Sequence, residues 1–250
     1  MLKKSVVFLV VMIIGASLLT ACGGSSAARD DNAKKLLVDL TAKGKTMYNQ
    51  PGWVHVIQNV VYDTDKQDRG TMPSGKAIPL VQVIDIWYHI NEQKQVYEFV
   101  WNLSSQDGQQ VDMTVFRNNN VYDLVTNSSN PQNPYNLTLD YQFLDEMNYF
   151  IAKSGNHPVV TTGELNGKNT TVFTLDEKLA SPRTTEDYTQ PITSSGSIAY
   201  FDSQSGLLLK LERTVTLADG SKRTFYTDNL TIETGVQPPL DIQNFVNGMY

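Results

Sequence analysis

The chain has 250 residues, with 26 acidic and 20 basic side chains, a formal charge of −6 and a single cysteine. Such an acidic balance argues against charge-driven binding to nucleic acid or to an anionic membrane, and one cysteine excludes an internal disulfide. A chain of this length can bury one sizeable core, in one or two domains.

An export signal comes first. Lys3 and Lys4 precede an apolar run of about 14 residues at 6–19, and Leu18-Leu19-Thr20-Ala21-Cys22 closes it. A positive start, a hydrophobic stretch and small residues at a cleavage point form a secretory signal. The run is shorter than the roughly 20 residues that span a bilayer. The cysteine placed after the small pair resembles the lipobox of bacterial lipoproteins, whose cysteine becomes the lipid-modified (palmitate-type) first residue. Cys22 is therefore the expected attachment point and the membrane an expected partner, on the extracytoplasmic face of the cell envelope. The expected organisation is a signal at 1–21, a flexible tether at 22–30 and a single α+β domain at 31–250. Gly23, Gly24 and the small residues after them suit a tether. Cleavage also removes Lys3 and Lys4 but no acid, which takes the formal charge of −6 two units lower.

The spacing of Ala33, Leu36, Leu37 and Leu40 predicts a helix over 31–45, with Asp30, Asp31 and Asn32 as N-capping oxygens. From Trp53 the period becomes two. Strands are expected at 53–62, 81–91 and 96–103, and a polar connection at 63–79 separates the first two. The second and third of these strands form a hairpin about residues 91–94. Ile84, Ile86, Tyr88 and Ile90, with Tyr97, Phe99, Trp101 and Leu103, share one apolar face of it. Another hairpin is expected about Asn118-Asn119-Asn120, where residues tolerant of a left-handed backbone cluster. Residues 127–134 read as a loop. A second helix is expected over 140–153, and strands about the Asn166-Gly167 turn follow it. The stretch 177–195 reads as a second long loop. Three strands with turns at 203–206 and Asp219-Gly220 follow, and a short element at 242–246 ends the chain. About ten antiparallel strands with two or three helices make an α+β layout.

Catalytic signatures are sparse. The sequence has no Gly-x-Ser-x-Gly elbow, no His-Glu-x-x-His and no phosphate-binding glycine loop. His55, His89 and His157 read as isolated, although His55 and His89 can meet across neighbouring strands. Residues 63–70 resemble a calcium loop only superficially, because Asp68 and Ser74 stand where such a loop needs Gly and Glu. The paired acids Asp145-Glu146 and Glu186-Asp187 are adjacent and do not face each other on a helix. No catalytic residue, no metal ligand and no cofactor is expected. The aromatic face of the hairpin has two readings: a packed core, or the wall of an apolar cavity.

The stretch Tyr200-Phe201-Asp202-Ser203-Gln204-Ser205-Gly206-Leu207-Leu208 looks like the Asp-x-x-Thr/Ser-Gly-Leu-Pro strand turn of the LolA/LolB superfamily, with Leu208 where proline is frequent. The ending Gln237-Pro238-Pro239-Leu240 through Phe245 is similar to the terminal segment of those domains. With the lipobox, the chain resembles LolA/LolB, RseB/MucB and LppX/LprG-like lipoproteins. That resemblance implies a strongly curved antiparallel sheet, an incomplete barrel covered by two or three helices. It implies no enzymatic role. A lipid, or the acyl anchor of another lipoprotein, would be held against Ile84, Ile86, Tyr88, Ile90, Tyr97, Phe99, Trp101 and Leu103. The alternative is a regulatory or protein-interaction lipoprotein with a filled core.

Overall fold

The computed structural model describes residues 26–71, 75–139, 143–153 and 156–248; Cys22 and the export signal lie outside them. Helix α1 (Ser26–Tyr48) opens the described chain. Strands β1 (Gly52–Tyr62), β2 (Val81–Ile90), β3 (Val96–Ser105), β4 (Gln110–Arg117), β5 (Asn120–Asp123) and β6 (Ser128–Pro131) follow. Then come α2 (Phe143–Ala152), β7 (Val159–Leu165), β8 (Lys168–Arg183), β9 (Ile192–Asp202), β10 (Leu208–Leu217), β11 (Lys222–Thr234) and α3 (Leu240–Asn247). All eleven strands belong to one antiparallel sheet in the order β6-β5-β4-β3-β2-β1-β11-β10-β9-β8-β7. The sheet is curved and not closed, so the expected α+β architecture is the observed one.

Local chemistry sets the turns. Asn118 and Asn119 (φ 50° and 58°) turn β4 into β5, and Asn166 with Gly167 (φ 53° and 76°) turns β7 into β8. These are the left-handed pairs that tight hairpins require. Three boundaries differ from expectation. Helix α1 begins at Ser26, so residues 26–30 are helical rather than tether, and Asp30 accepts from His157 Nδ1 at 3.1 Å instead of capping. Residues 128–131 form an edge strand on β5 rather than loop. β8 and β9 run far into the stretch read as loop, with Glu177 opposite Ser195 and Lys178 opposite Ser194. The side chains of β6 are polar and exposed on both faces. In the outer parts of β8 and β9, Leu179 and Ile192 pack in a small cluster with Tyr188, Val215 and Leu217, but they stand alone among polar residues, so no two-residue period shows.

One face of the sheet carries the main core, in two halves. In the first, Leu37 and Leu40 of α1 and Phe143, Met147 and Phe150 of α2 pack on Phe173, Ala199, Phe201, Leu211 and Leu230 of β8–β11. In the second, Tyr48, Val54, Val56, Ile86, Ile90, Val96 and Phe116 pack with Leu137 and Leu139 of the segment after β6. Helix α1 bridges the halves. It is held by close approach: a Cβ on Gly44 would stand 2.4 Å from the Gly206 oxygen, and one on Gly206 2.2 Å from the Leu40 oxygen. Gly206 also has φ +75°, so the turn between β9 and β10 needs glycine twice over. On the opposite face, α3 sets Ile242 against Trp87, Val100, Met113 and Val115.

Candidate functional site

The candidate site lies in the second half, where the helices end. Three cross-strand rows on β2, β3 and β4 build it: Tyr88–Phe99–Phe116, Ile86–Trp101–Thr114 and Ile84–Leu103–Asp112. Successive rows are two residues apart, so the first and last are separated by roughly 13 Å along the strands. Tyr135 closes the aromatic end, because its backbone bridges to Val96: the Val96 N–H donates to the Tyr135 oxygen at 2.7 Å and the Tyr135 N–H to the Val96 oxygen at 3.3 Å. Its ring stands edge-on to Phe99 with centroids 6.4 Å apart, and Phe99 lies 6.1 Å from Tyr88. The Leu139 N–H donates to the Tyr48 hydroxyl at 3.3 Å, which ties the same segment to the end of α1.

These residues leave an open groove of about 380 Å³. Its apolar wall is Ile86, Tyr88, Phe99, Trp101 and Tyr135, and its polar margin is Asp112 and Thr114. Burial pushes the Tyr88 phenol up to about 12 and raises Tyr135 as well. Asp112 is raised above the ordinary carboxylate value, chiefly by burial. The Met113 N–H, which donates to it at 2.8 Å, opposes that rise, Asp123 adds to it and Lys76 opposes it. Uncharged phenols and one half-buried acid can bind an apolar body with a polar end.

Of the eight residues expected on this face, Ile86, Tyr88, Phe99 and Trp101 line the groove. Ile84 and Ile90 pack in the cluster beside it, and Leu103 is buried in the row that ends at Asp112. Tyr97 is elsewhere. The register shifts between His89 and Ile90, so Ile90 faces Val96 and Tyr97 becomes the extra residue of a bulge. Its hydroxyl meets His89 Nδ1 at 2.6 Å, and its ring lies 4.5 Å from the His89 ring. Asp112, Thr114 and Tyr135 were not singled out by sequence. The alternation of β4 places Asp112 and Thr114 on Phe116's face, a signal that was available; Tyr135 follows an irregular segment and gave none.

The other sequence candidates have structural partners. His55 stacks on Trp87 at 3.9 Å and bridges Asp85 (2.9 Å) and Glu233 (3.1 Å), whereas His89 stacks on Trp53 at 4.3 Å. The two histidines thus alternate with two tryptophans and do not converge. In the calcium-like stretch, Arg223 pairs with both Asp63 and Asp65, and Arg69 with Asp187. Glu146 accepts from Arg213 at 2.8 Å and from Ser197. Among the described residues, no group of three His, Cys, Asp or Glu side chains could hold a metal ion, and no helix is long and apolar enough to cross a membrane.

No protein-family model matches the chain, and no curated protein matches it. Solved structures do. The chain is similar to the lipoprotein LppX of Mycobacterium tuberculosis, with 11% identity over 84% of this chain and 98% of that one, at a TM-score of 0.40. It is similar to the MucA/MucB complex structure of Pseudomonas aeruginosa, with 14% identity, 84% coverage and a TM-score of 0.41, but it spans only 59% of that chain. A LolA superfamily protein of Nitrosomonas europaea matches with 8% identity over 81% of this chain and 94% of that one, at 0.27. What the groove can hold depends on its own side chains.

Proposed function

We propose that the protein is a lipid-anchored, extracytoplasmic binding protein without enzymatic activity, which holds the apolar part of an amphiphile in the groove of β2–β4. The observation that carries this reading is the groove itself, about 380 Å³ walled by Ile86, Tyr88, Phe99, Trp101 and Tyr135. Small-molecule sites occupy roughly 300–1,000 Å³ and are mostly apolar with a few polar groups. Each methylene removed from water contributes about 0.8 kcal/mol, so ~10 of them give about 8 kcal/mol before the cost of association. Lipidation at Cys22 would keep the groove beside a membrane that supplies such molecules. Organic extraction and mass spectrometry of purified protein starting at residue 23 tests the reading. A stoichiometric lipid is expected from the parent and much less from Trp101→Glu; no lipid from either overturns it.

One observation favours a second reading, a protein-interaction role. Leu36, Val38 and Met47 of α1 are 39%, 44% and 46% exposed although the core beneath the helix is filled. Under that reading, crosslinking in membranes traps a protein along α1, and Leu36→Asp abolishes the adduct.

A further inference from the structure

The polar margin of the groove constrains the chemistry of its ligand. Within the proposed amphiphile reading, we infer that the groove selects a cationic polar end, an alkylated ammonium seated between the Trp101 ring and the Asp112 carboxylate. Asp112 and Thr114 are the non-aromatic polar residues along the wall, and neither Lys nor Arg lines it. Trp101 pairs with Thr114, and Asp112 with Leu103, so Trp101 and Asp112 are diagonal neighbours on adjacent strands. Diagonal neighbours lie roughly 7–8 Å apart and their Cβ atoms somewhat closer, a gap that an ammonium group can bridge while touching both side chains.

Two attractions then act on the same ion. A tryptophan face draws a cation through its ring quadrupole, most strongly where water is displaced. The Asp112 carboxylate supplies the counter-charge, and an arriving cation relieves the cost of holding that acid half-buried. Tyr88, Phe99 and Tyr135 lie beyond, toward the aromatic end, where an alkyl chain would be covered. A carboxylate or phosphate end would instead meet Asp112, with Asp123 close enough to reinforce the repulsion. Lys76 opposes that field, but its ammonium donates to the Gln110 oxygen at 2.8 Å, outside the groove lining.

Three probes with one chain length test the inference: decyltrimethylammonium, 1-decanol and decanoate, titrated calorimetrically near neutral pH below their micelle concentrations. The cation should bind about tenfold tighter than the alcohol, and the alcohol tighter than the acid. Asp112→Asn and Trp101→Leu should each narrow the gap between cation and alcohol severalfold, whatever each does to the affinity for 1-decanol. Glu164→Gln, an exposed change on β7 at the far edge of the sheet, controls for net charge and should leave the gap intact. Equal binding of all three probes overturns the cation assignment and leaves the amphiphile groove standing. A preference that survives in both Asp112→Asn and Trp101→Leu, or that Glu164→Gln narrows as much, also overturns it. Failure of every probe to bind overturns the groove reading together with the inference.

Discussion

The two halves of the core face are equally rich in large apolar residues, yet one is closed and the other open. Over β8–β11 the helices α1 and α2 seat Leu37, Phe143, Met147 and Phe173 at 0% exposure. Over β2–β4 an irregular segment replaces the helices, and Tyr88, Phe99 and Trp101 stay half-buried around a groove. A helix delivers a side chain to the sheet at every turn, whereas a short extended segment delivers Tyr135, Leu137 and Leu139 and stops. The difference between packed core and open groove therefore lies in the cover, not in the sheet.

Substitutions in each half can break that contrast. Phe173→Ala, in the closed half, should cost about 3–5 kcal/mol in urea unfolding, because it leaves a cavity no water can fill. Trp101→Ala, in the open half, should cost less than half as much and instead weaken amphiphile binding about tenfold or more; equal losses of stability would mean that both halves are core. Gly206→Ala probes the join between the halves. A side chain at φ +75° with a carbonyl 2.2 Å away displaces α1 or the turn, with an expected loss of about 2–3 kcal/mol and weaker protection of the α1 amides from exchange.

The smallest effects are ionic, and acid should move them in opposite senses. Asp112 is raised by burial, so the folded form holds its proton more tightly than the unfolded chain does. Its contribution favours folding below about pH 4 and is lost as pH rises through the raised value. Asp63 is lowered chiefly by its hydrogen bond to Arg223, and Asp65 by the Thr189 N–H and Arg223. Their contribution is present above about pH 4 and lost as pH falls through the lowered values. Segment-resolved hydrogen exchange should show residues 63–71 opening in acid while β4 does not. Asp112→Asn should flatten the pH response of β4 alone.

Much of this fold could be read from the sequence. The Asn118-Asn119 and Asn166-Gly167 turns and the apolar alternation of β2 and β3 were legible because backbone chemistry and a two-residue period act locally. β6 and the outer parts of β8 and β9 were not, since β6 is exposed on both faces and Leu179 and Ile192 are too sparse among polar residues to set a period. Tyr97 was assigned the wrong companions because a bulge at this one residue turns its ring to His89, away from the face that Phe99, Trp101 and Leu103 share, and nothing in Gln95-Val96-Tyr97 announces one. The groove was half legible. Ile86, Tyr88, Phe99 and Trp101 could be grouped, but whether they are covered depends on where α1 stops and residue 135 returns. That is a long-range fact.

Helix α1 meets the rest of the protein chiefly along one row: among its residues whose side chains are described, Asp30, Ala33, Leu37, Leu40, Gly44 and Tyr48 are the buried ones. The remaining positions carry little structural obligation. Over evolutionary time the outward surface of this helix should drift quickly in charge and shape while the seam stays fixed. A lineage could therefore refit this exterior to new surroundings without disturbing either half of the core.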